Sequence, residues 1–219
     1  MIALAPQITA PEIATMDSLT LYTNPMSRGR IARWMLEELG KPYTVHMLDY
    51  DTTMRAPAYL AINPMGKVPC LTHGETIVTE GAAICTYLAD SFPDAGLMPE
   101  DRGSFYRWMF FGAGPLEQAV VNTAMGWKPA SANEARATGY GSLEQTVGTL
   151  TAHLEGRSFM VGDRFSATDV YVGSQIGWGL QFKTIPANDT LTTYWQRIRT
   201  RPALVRANAL DDAQMKKDT

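Results

Sequence analysis

A proline placed at the start of an apolar strand constrains this chain more than any other feature. Residues 62–71 read INPMGKVPCL, so a turn-rich loop runs into Val68 and Pro69 before the strand begins. Proline cannot donate to a sheet ladder, so Pro69 belongs at a strand's first residue or at a sheet edge. The backbone groups of Val68 are then free to pair with an extended peptide lying alongside. A bond to proline is also the kind that tolerates the cis geometry.

The start of a helix is predicted about ten residues further on. Residues 78–84 read VTEGAAI, and apolar residues continue at helical spacing to Tyr87 and Leu88. Free N–H groups at the start of a helix attract carboxylates. The strand edge and the helix start together predict a site for a short acidic peptide.

These two motifs, GKVP-x-L and TEGAAI, resemble in their spacing the glutathione-binding half of the glutathione transferase superfamily. The family's usual pattern is a Val–Pro step followed by Glu-Ser-x-Ala-Ile. The resemblance implies that Val68, with Pro69 beside it, pairs with the cysteinyl backbone of glutathione, and that Glu80 holds the γ-glutamyl ammonium. Lys67 would reach the glycyl carboxylate. Gly81 stands where the family usually has serine, so one hydroxyl contact to the γ-glutamyl carboxylate is absent.

The resemblance also implies a group that activates the thiol of glutathione. A free thiol has a pKa of about 8.5, and a hydroxyl donor with a helix N-terminus would lower it by roughly two units. Ser27 follows a predicted strand and turn at a helix start and is our first choice, although it could also simply cap that helix. Classes of this family use different residues in this loop, so Tyr22 and Asn24 stay open, with Thr23 a weaker alternative. Neither cysteine lies in the loop, which argues against a cysteine-type thiol transferase.

Hydrophobic periodicity predicts an α/β thioredoxin-like N-terminal domain plus an all-α C-terminal domain. Up to Phe92 the predicted order is βαβ and then ββα, with an irregular segment before the Val–Pro step. After it, residues 104–125 are expected to be helical with a break near Gly112 and Pro115, and 132–154 to form one long helix. The predicted segments are a flexible N-terminal extension at 1–16, a thioredoxin-like glutathione-binding domain at 17–92, a linker at 93–101 and an all-helical domain at 102–219.

The strongest local signal in the second half is a predicted capping box. Ser166 and Asp169 have the S-x-x-D spacing of a capping box. In this motif the side chain of each residue accepts a hydrogen bond from the backbone N–H of the other. We interpret this motif as structural. Replacing Asp169 by alanine is therefore predicted to lower the free energy of unfolding by about 1 kcal/mol or more, because the cap is lost.

Composition excludes several classes of function. The net charge is −3 with no basic patch, which argues against nucleic acid as a partner. No apolar run approaches the length of a membrane span. Cys70 and Cys85 lie in apolar runs and are expected to be buried free thiols in a reducing, cytoplasmic compartment. No metal is expected, because metal-ligand spacing is absent among the three histidines, His46, His73 and His153.

The predicted function is the addition of glutathione, as co-substrate, to electrophilic small molecules in detoxification, by a homodimer inferred from the resemblance alone. The alternatives are other glutathione-dependent chemistry (peroxide reduction, dehalogenation or isomerisation) and a non-catalytic binding module, which Gly81 favours. The acceptor pocket is expected between the domains, although most of its candidate residues are expected to be core. These candidates are Met26, Tyr106, Phe110, Phe111, Trp127, Trp178 and Phe182.

Overall fold

The computed structural model describes residues 18–215. The predicted N-terminal extension at 1–16 lies outside the described residues.

The N-terminal half contains a four-stranded sheet in the order β2-β1-β3-β4. Its strands are β1 (Leu19–Thr23), β2 (Tyr43–Met47), β3 (Cys70–His73) and β4 (Thr76–Thr79). β1 pairs parallel with β2 and antiparallel with β3, while β3 and β4 form a hairpin. The predicted βαβ and ββα order is confirmed, and this thioredoxin-like sheet has its Val–Pro step just before β3.

Helices make up most of the rest of the described chain. In the first half they are α1 (Gly29–Leu39), a short α2 (Pro57–Leu60) preceded by a 3₁₀ turn (Thr53–Arg55), and α3 (Gly81–Ser91). After a further 3₁₀ turn (Pro93–Ala95) they are α4 (Arg102–Phe111), α5 (Glu117–Ala124), α6 (Ala132–Ala137), α7 (Leu143–Leu154), α8 (Ala167–Gln181), α9 (Asp189–Ile198) and α10 (Pro202–Met215).

Two helix predictions need correction. The expected long helix over 132–154 is two helices, because Gly139 and Gly141 both adopt left-handed φ values of 71° and 70°, and Ser142 then caps a new helix, α7. The expected break near Gly112 is only partial. Residues Gly112–Leu116 form a π-helical turn that contains Pro115, and it joins α4 directly to α5.

One apolar core joins the sheet to the helices. Leu21 on β1, Ile84 on α3, Phe105 on α4 and Val170 on α8 are all fully buried members of one cluster. The predicted thiols Cys70 and Cys85 are free and buried, as expected. Burial raises the pKa of Cys70 to about 11, so this thiol stays protonated.

The helix that carries Ser27 at its N-terminal end is held by the C-terminal helix. Arg33 on α1 pairs with Asp211 on α10 at 2.8 Å, and both side chains are almost fully buried. Arg30, one turn earlier, pairs with Asp212 at 2.7 Å. α1 begins beyond Arg28 and ends at Gly40, whose left-handed φ of 67° terminates the helix as predicted.

None of the helices within residues 18–215 is both long enough and apolar enough to cross a membrane. The same residues contain no cluster of three or more His, Cys, Asp or Glu side chains that could hold a metal ion.

Candidate functional site

The backbone of Val68 lies just outside the sheet ladder. The Val68–Pro69 bond is cis, and the described pairing of β3 with both of its neighbours begins at Cys70. The carbonyl of the preceding residue, Lys67, accepts hydrogen bonds from the Tyr59 hydroxyl and, at 2.8 Å, from Asn63 Nδ2. These two contacts fix the peptide plane that carries the N–H of Val68.

Tyr59 and Asn63 are therefore positioning residues that sequence reasoning missed. Asn63 also accepts from the Met65 N–H at 3.2 Å, so its amide orders the loop from both ends. In the sequence Asn63 reads only as a turn residue before a proline. Nothing in the spacing indicates that its side chain would return to the backbone of Lys67.

The sheet register brings the start of α3 next to Val68. Cys70 is paired with Thr79, so residues 68–69 and residues 80–81 continue side by side beyond the last pair of the antiparallel ladder. Glu80 has φ 67° and ψ 123°, a conformation that side chains rarely adopt, and its side chain is exposed without capping α3. Backbone strain of this kind is concentrated at functional sites. α3 begins at the next residue, Gly81, and a helix has no internal partners for its first N–H groups.

A tyrosine ring lies close to Gly81. A Cβ at Gly81 would lie 3.3 Å from Cε2 of Tyr171, and a Cβ at Gly112 would lie 3.1 Å from Cε1 of the same ring. The ring of Tyr171 on α8 thus passes between two glycines, one on α3 and one in the π-helical turn. No motif or spacing in the sequence indicates that Tyr171 is a neighbour of this site.

Ser27 lies just before the N-terminal end of α1, two residues ahead of Gly29. Its Oγ accepts the Gly29 N–H at 2.9 Å and donates to the Asn24 carbonyl at 2.7 Å, so the serine satisfies the first N–H group of its own helix, although Arg28 is the N-cap residue. A side chain at Gly29 is excluded, because its Cβ would lie 1.9 Å from Thr23 Oγ1 and 2.9 Å from Ser27 Oγ. Ser27 is partly buried.

The structure places the alternative residues of this loop in other roles. Asn24 is occupied at both ends of its amide, which donates to the Leu48 carbonyl and accepts the Met26 N–H. Tyr22 stacks on His46 with ring centroids 5.1 Å apart, and burial raises the pKa of its hydroxyl. Thr23 is fully buried.

The expectation that most acceptor-pocket candidates belong to the core is wrong. Only Phe111 and Trp178 pack against the main cluster. α4 directs Phe105, Trp108 and Met109 inward, which leaves the other aromatic side chains of that helix outside. The exposed candidates are Met26, Tyr106, Phe110, Trp127 and Phe182.

Comparison with known proteins gives matches across most of the chain. Residues 26–91 match the model of the glutathione S-transferase N-terminal domain. Glutathione S-transferase GstA of Escherichia coli O157:H7 is 28% identical over 192 residues, which cover 84% of this chain and 94% of that protein. Glutathione S-transferase 3 of Zea mays is 26% identical over 214 residues, covering 89% and 95%.

Solved structures agree with these matches. The glutathione S-transferase from Xylella fastidiosa has a TM-score of 0.71 and 25% identity, covering 89% of this chain and 98% of that one. A sphingomonad glutathione S-transferase complexed with glutathione also has a TM-score of 0.71, with 26% identity and coverage of 88% and 98%. In both sequence and fold, this chain is therefore similar to glutathione S-transferases along most of its length.

Proposed function

We propose that this protein is a glutathione transferase that joins the thiolate of glutathione to electrophilic small molecules. The observation that carries the proposal is the corner where the free backbone edge of Val68 meets the start of α3. An extended peptide can pair with that edge as an added strand. Its carboxylate then meets the N–H groups of α3, and its ammonium meets the exposed carboxylate of Glu80.

The roles assigned to the remaining site residues follow from the same docking. Pro69 ends the ladder so that Val68 is left for the peptide, Gly81 offers its N–H, and Lys67 lies on the side of the glycyl carboxylate. Ser27 would donate to the sulfur. The sphingomonad relative, whose structure is complexed with glutathione, supports this choice of co-substrate. The acceptor would lie between the sheet and the helices, near Met26.

The proposal also includes a homodimer, a role in detoxification and a cytoplasmic location. It further includes the division of the chain into the segments 1–16, 17–92, 93–101 and 102–219. The family resemblance supports the division, the homodimer and the role in detoxification. The two buried, free cysteines support a reducing compartment. Sedimentation of the purified protein tests the dimer.

Calorimetry with two matched ligands tests the binding mode. We expect glutathione to bind the wild type and the Glu80→Gln variant to bind it roughly 10- to 100-fold more weakly, because a charged hydrogen bond to the ammonium is lost. Glutaryl-cysteinylglycine, which lacks only that amino group, should bind both proteins with similar affinity. No heat of association between glutathione and the wild type would contradict the proposal.

Turnover separates conjugation from the alternatives. A panel of aryl halides, epoxides and hydroperoxides, each measured with glutathione, distinguishes conjugation from peroxide reduction. A protein that binds glutathione but converts no member of the panel would be the non-catalytic module that Gly81 favours.

A pair of substitutions at Gly81 isolates the hydroxyl that this chain lacks. Serine and alanine add the same Cβ, which meets the Tyr171 ring at 3.3 Å in both variants, so only the hydroxyl differs. We expect Gly81→Ser to bind glutathione about 10-fold more tightly than Gly81→Ala, because a hydrogen bond to a carboxylate is regained. Equal affinities in calorimetry would show that the γ-glutamyl carboxylate does not reach this position.

A further inference from the structure

An ion pair joins the loop of Ser27 to the helical half of the protein. Arg28 directly follows Ser27, and its Nη2 lies 3.0 Å from Oε1 of Glu117 on α5. The other carboxylate oxygen of Glu117 accepts the hydroxyl of Tyr171 at 3.2 Å. Tyr171 is the same residue whose ring lies against Gly81. A chain of contacts therefore runs from the start of α1 to the start of α3 through the helical half.

The two partners of this ion pair are held very differently. Glu117 is 31% exposed and keeps its second contact with Tyr171, whose hydroxyl stays protonated because burial raises its pKa. Arg28 is 52% exposed, and within residues 18–215 its guanidinium makes the contact with Glu117 through a single nitrogen. Exposed ion pairs of this kind add little stability. Arg28 can leave Glu117 without disturbing the carboxylate it leaves behind.

The guanidinium is suited to bind a planar anion. It carries five N–H donors in a fixed fork that matches a carboxylate in two parallel hydrogen bonds, and the contact with Glu117 does not use that geometry. Arg28 is also the residue directly after Ser27, the proposed donor to the sulfur, so an acceptor bound beside that sulfur would lie near Arg28.

We propose, building on the function proposed above, that Arg28 is a specificity residue that binds a carboxylate on the electrophilic acceptor, with Glu117 as the internal carboxylate that the acceptor displaces. The residue selects the acceptor and takes no part in bond making. In an aromatic substitution the glutathione sulfur forms a bond to the ring carbon, and chloride leaves with the bonding electron pair.

The test uses two acceptors that differ in one charge, 4-chloro-3,5-dinitrobenzoate and its methyl ester. Each kcat/KM is divided by the uncatalysed rate of the same compound, and the ratio of acid to ester is the readout. We expect Arg28→Gln to lower this ratio about 10-fold, because charged hydrogen bonds to the acid are lost. Glu117→Gln should raise it roughly threefold, since the competing charge is gone while the amide oxygen still accepts from Tyr171.

Further variants keep the test decisive. Arg28→Lys retains the charge without the fork and should give an intermediate ratio, and Arg102→Gln, which breaks an exposed ion pair with Asp90, should leave the ratio unchanged. The same ratio in the wild type and in both the Arg28→Gln and Glu117→Gln variants would overturn the proposal. A higher KM for glutathione in Arg28→Gln, with the acid-to-ester ratio unaltered, would overturn it by assigning Arg28 to the tripeptide. Failure of the wild type to convert the acid, the ester and every member of the acceptor panel described above would instead overturn the proposed function.

Discussion

Replacing Ser27 by alanine is expected to lower kcat/KM for glutathione conjugation roughly 10-fold near neutral pH, because the thiol pKa of bound glutathione rises. The reason is electrostatic. The Ser27 hydroxyl and the N-terminal end of α1 stabilise the thiolate over the thiol, and each unit of pKa depression is worth about 1.4 kcal/mol. Without the hydroxyl, less of the bound glutathione is ionised.

The hydrogen bonds of Ser27 show how one hydroxyl can serve both the helix and the ligand. Its oxygen accepts the Gly29 N–H at 2.9 Å, while its proton points to the Asn24 carbonyl at 2.7 Å. Rotation about the C–O bond can turn the proton from Asn24 to a bound thiolate and leave the bond from Gly29 intact. The Gly29 N–H also polarises the hydroxyl and makes it a better donor.

The thiol pKa of bound glutathione, titrated through its ultraviolet thiolate absorbance, is the direct measurement. We expect a value about two units below the free thiol in the wild type and a higher value, still below about 8.5, in Ser27→Ala, because the N-terminal end of α1 remains. Ser27→Thr keeps the hydroxyl and is the matched control. Thermal unfolding measures the stability that the variant loses with the hydrogen bond from the Gly29 N–H, which we expect to be about 1 kcal/mol. Full activity in Ser27→Ala, or an equal loss in Tyr22→Phe, would remove Ser27 from this role.

Short-range signals allowed most of the N-terminal half to be predicted from the sequence. The Val–Pro step marks the start of β3 because proline has no N–H to donate to a sheet. The cis geometry of the Val68–Pro69 bond could be anticipated because bonds to proline tolerate it. Gly40 ends α1 because glycine adopts left-handed φ at little cost. Each of these rules depends only on a residue and its immediate neighbours.

Features that depend on a distant contact could not be predicted. The role of Tyr59 and Asn63 in orienting Lys67 requires the chain to fold back on itself, and no periodicity encodes that contact. Gly81 looked like the loss of a ligand contact, whereas the structure also gives it a packing reason, because Tyr171 from α8, far along the chain, lies against it. The pair between Arg28 and Glu117 links residues that look like ordinary surface charges in the sequence.

Replacing Asp169 by alanine is expected to lower the free energy of unfolding by about 4 kcal/mol, well above the minimum that the capping box alone predicts. The carboxylate is fully buried and accepts four hydrogen bonds. One comes from the Ser166 N–H, as in the predicted capping box, and a second comes from Ser166 Oγ. The others come from the Met160 N–H at 2.7 Å and the Tyr194 hydroxyl at 2.8 Å.

The size of the effect comes from the donors that would be left behind. Alanine removes the acceptor but leaves buried N–H and O–H groups, and each unsatisfied buried donor costs about 1 to 3 kcal/mol. Burial raises the pKa of Asp169 to about 6, although the hydrogen bonds oppose this rise, so the group is mostly ionised at neutral pH. Asp169 therefore connects the start of α8 to Tyr194 on α9 and to Met160 in the segment before α8. These contacts hold in place the helix that carries Tyr171.

Ser166→Ala separates this tertiary role from helix capping. It removes one donor from the same carboxylate and should cost only about 1 kcal/mol, because the bonds from Met160 and Tyr194 remain. In thermal unfolding at neutral pH, Asp169→Ala should lower the midpoint by about 10 °C and Ser166→Ala by a few degrees. Equal shifts in the two variants would mean that Asp169 acts only as half of a capping box, and that its contacts with Met160 and Tyr194 contribute nothing to stability.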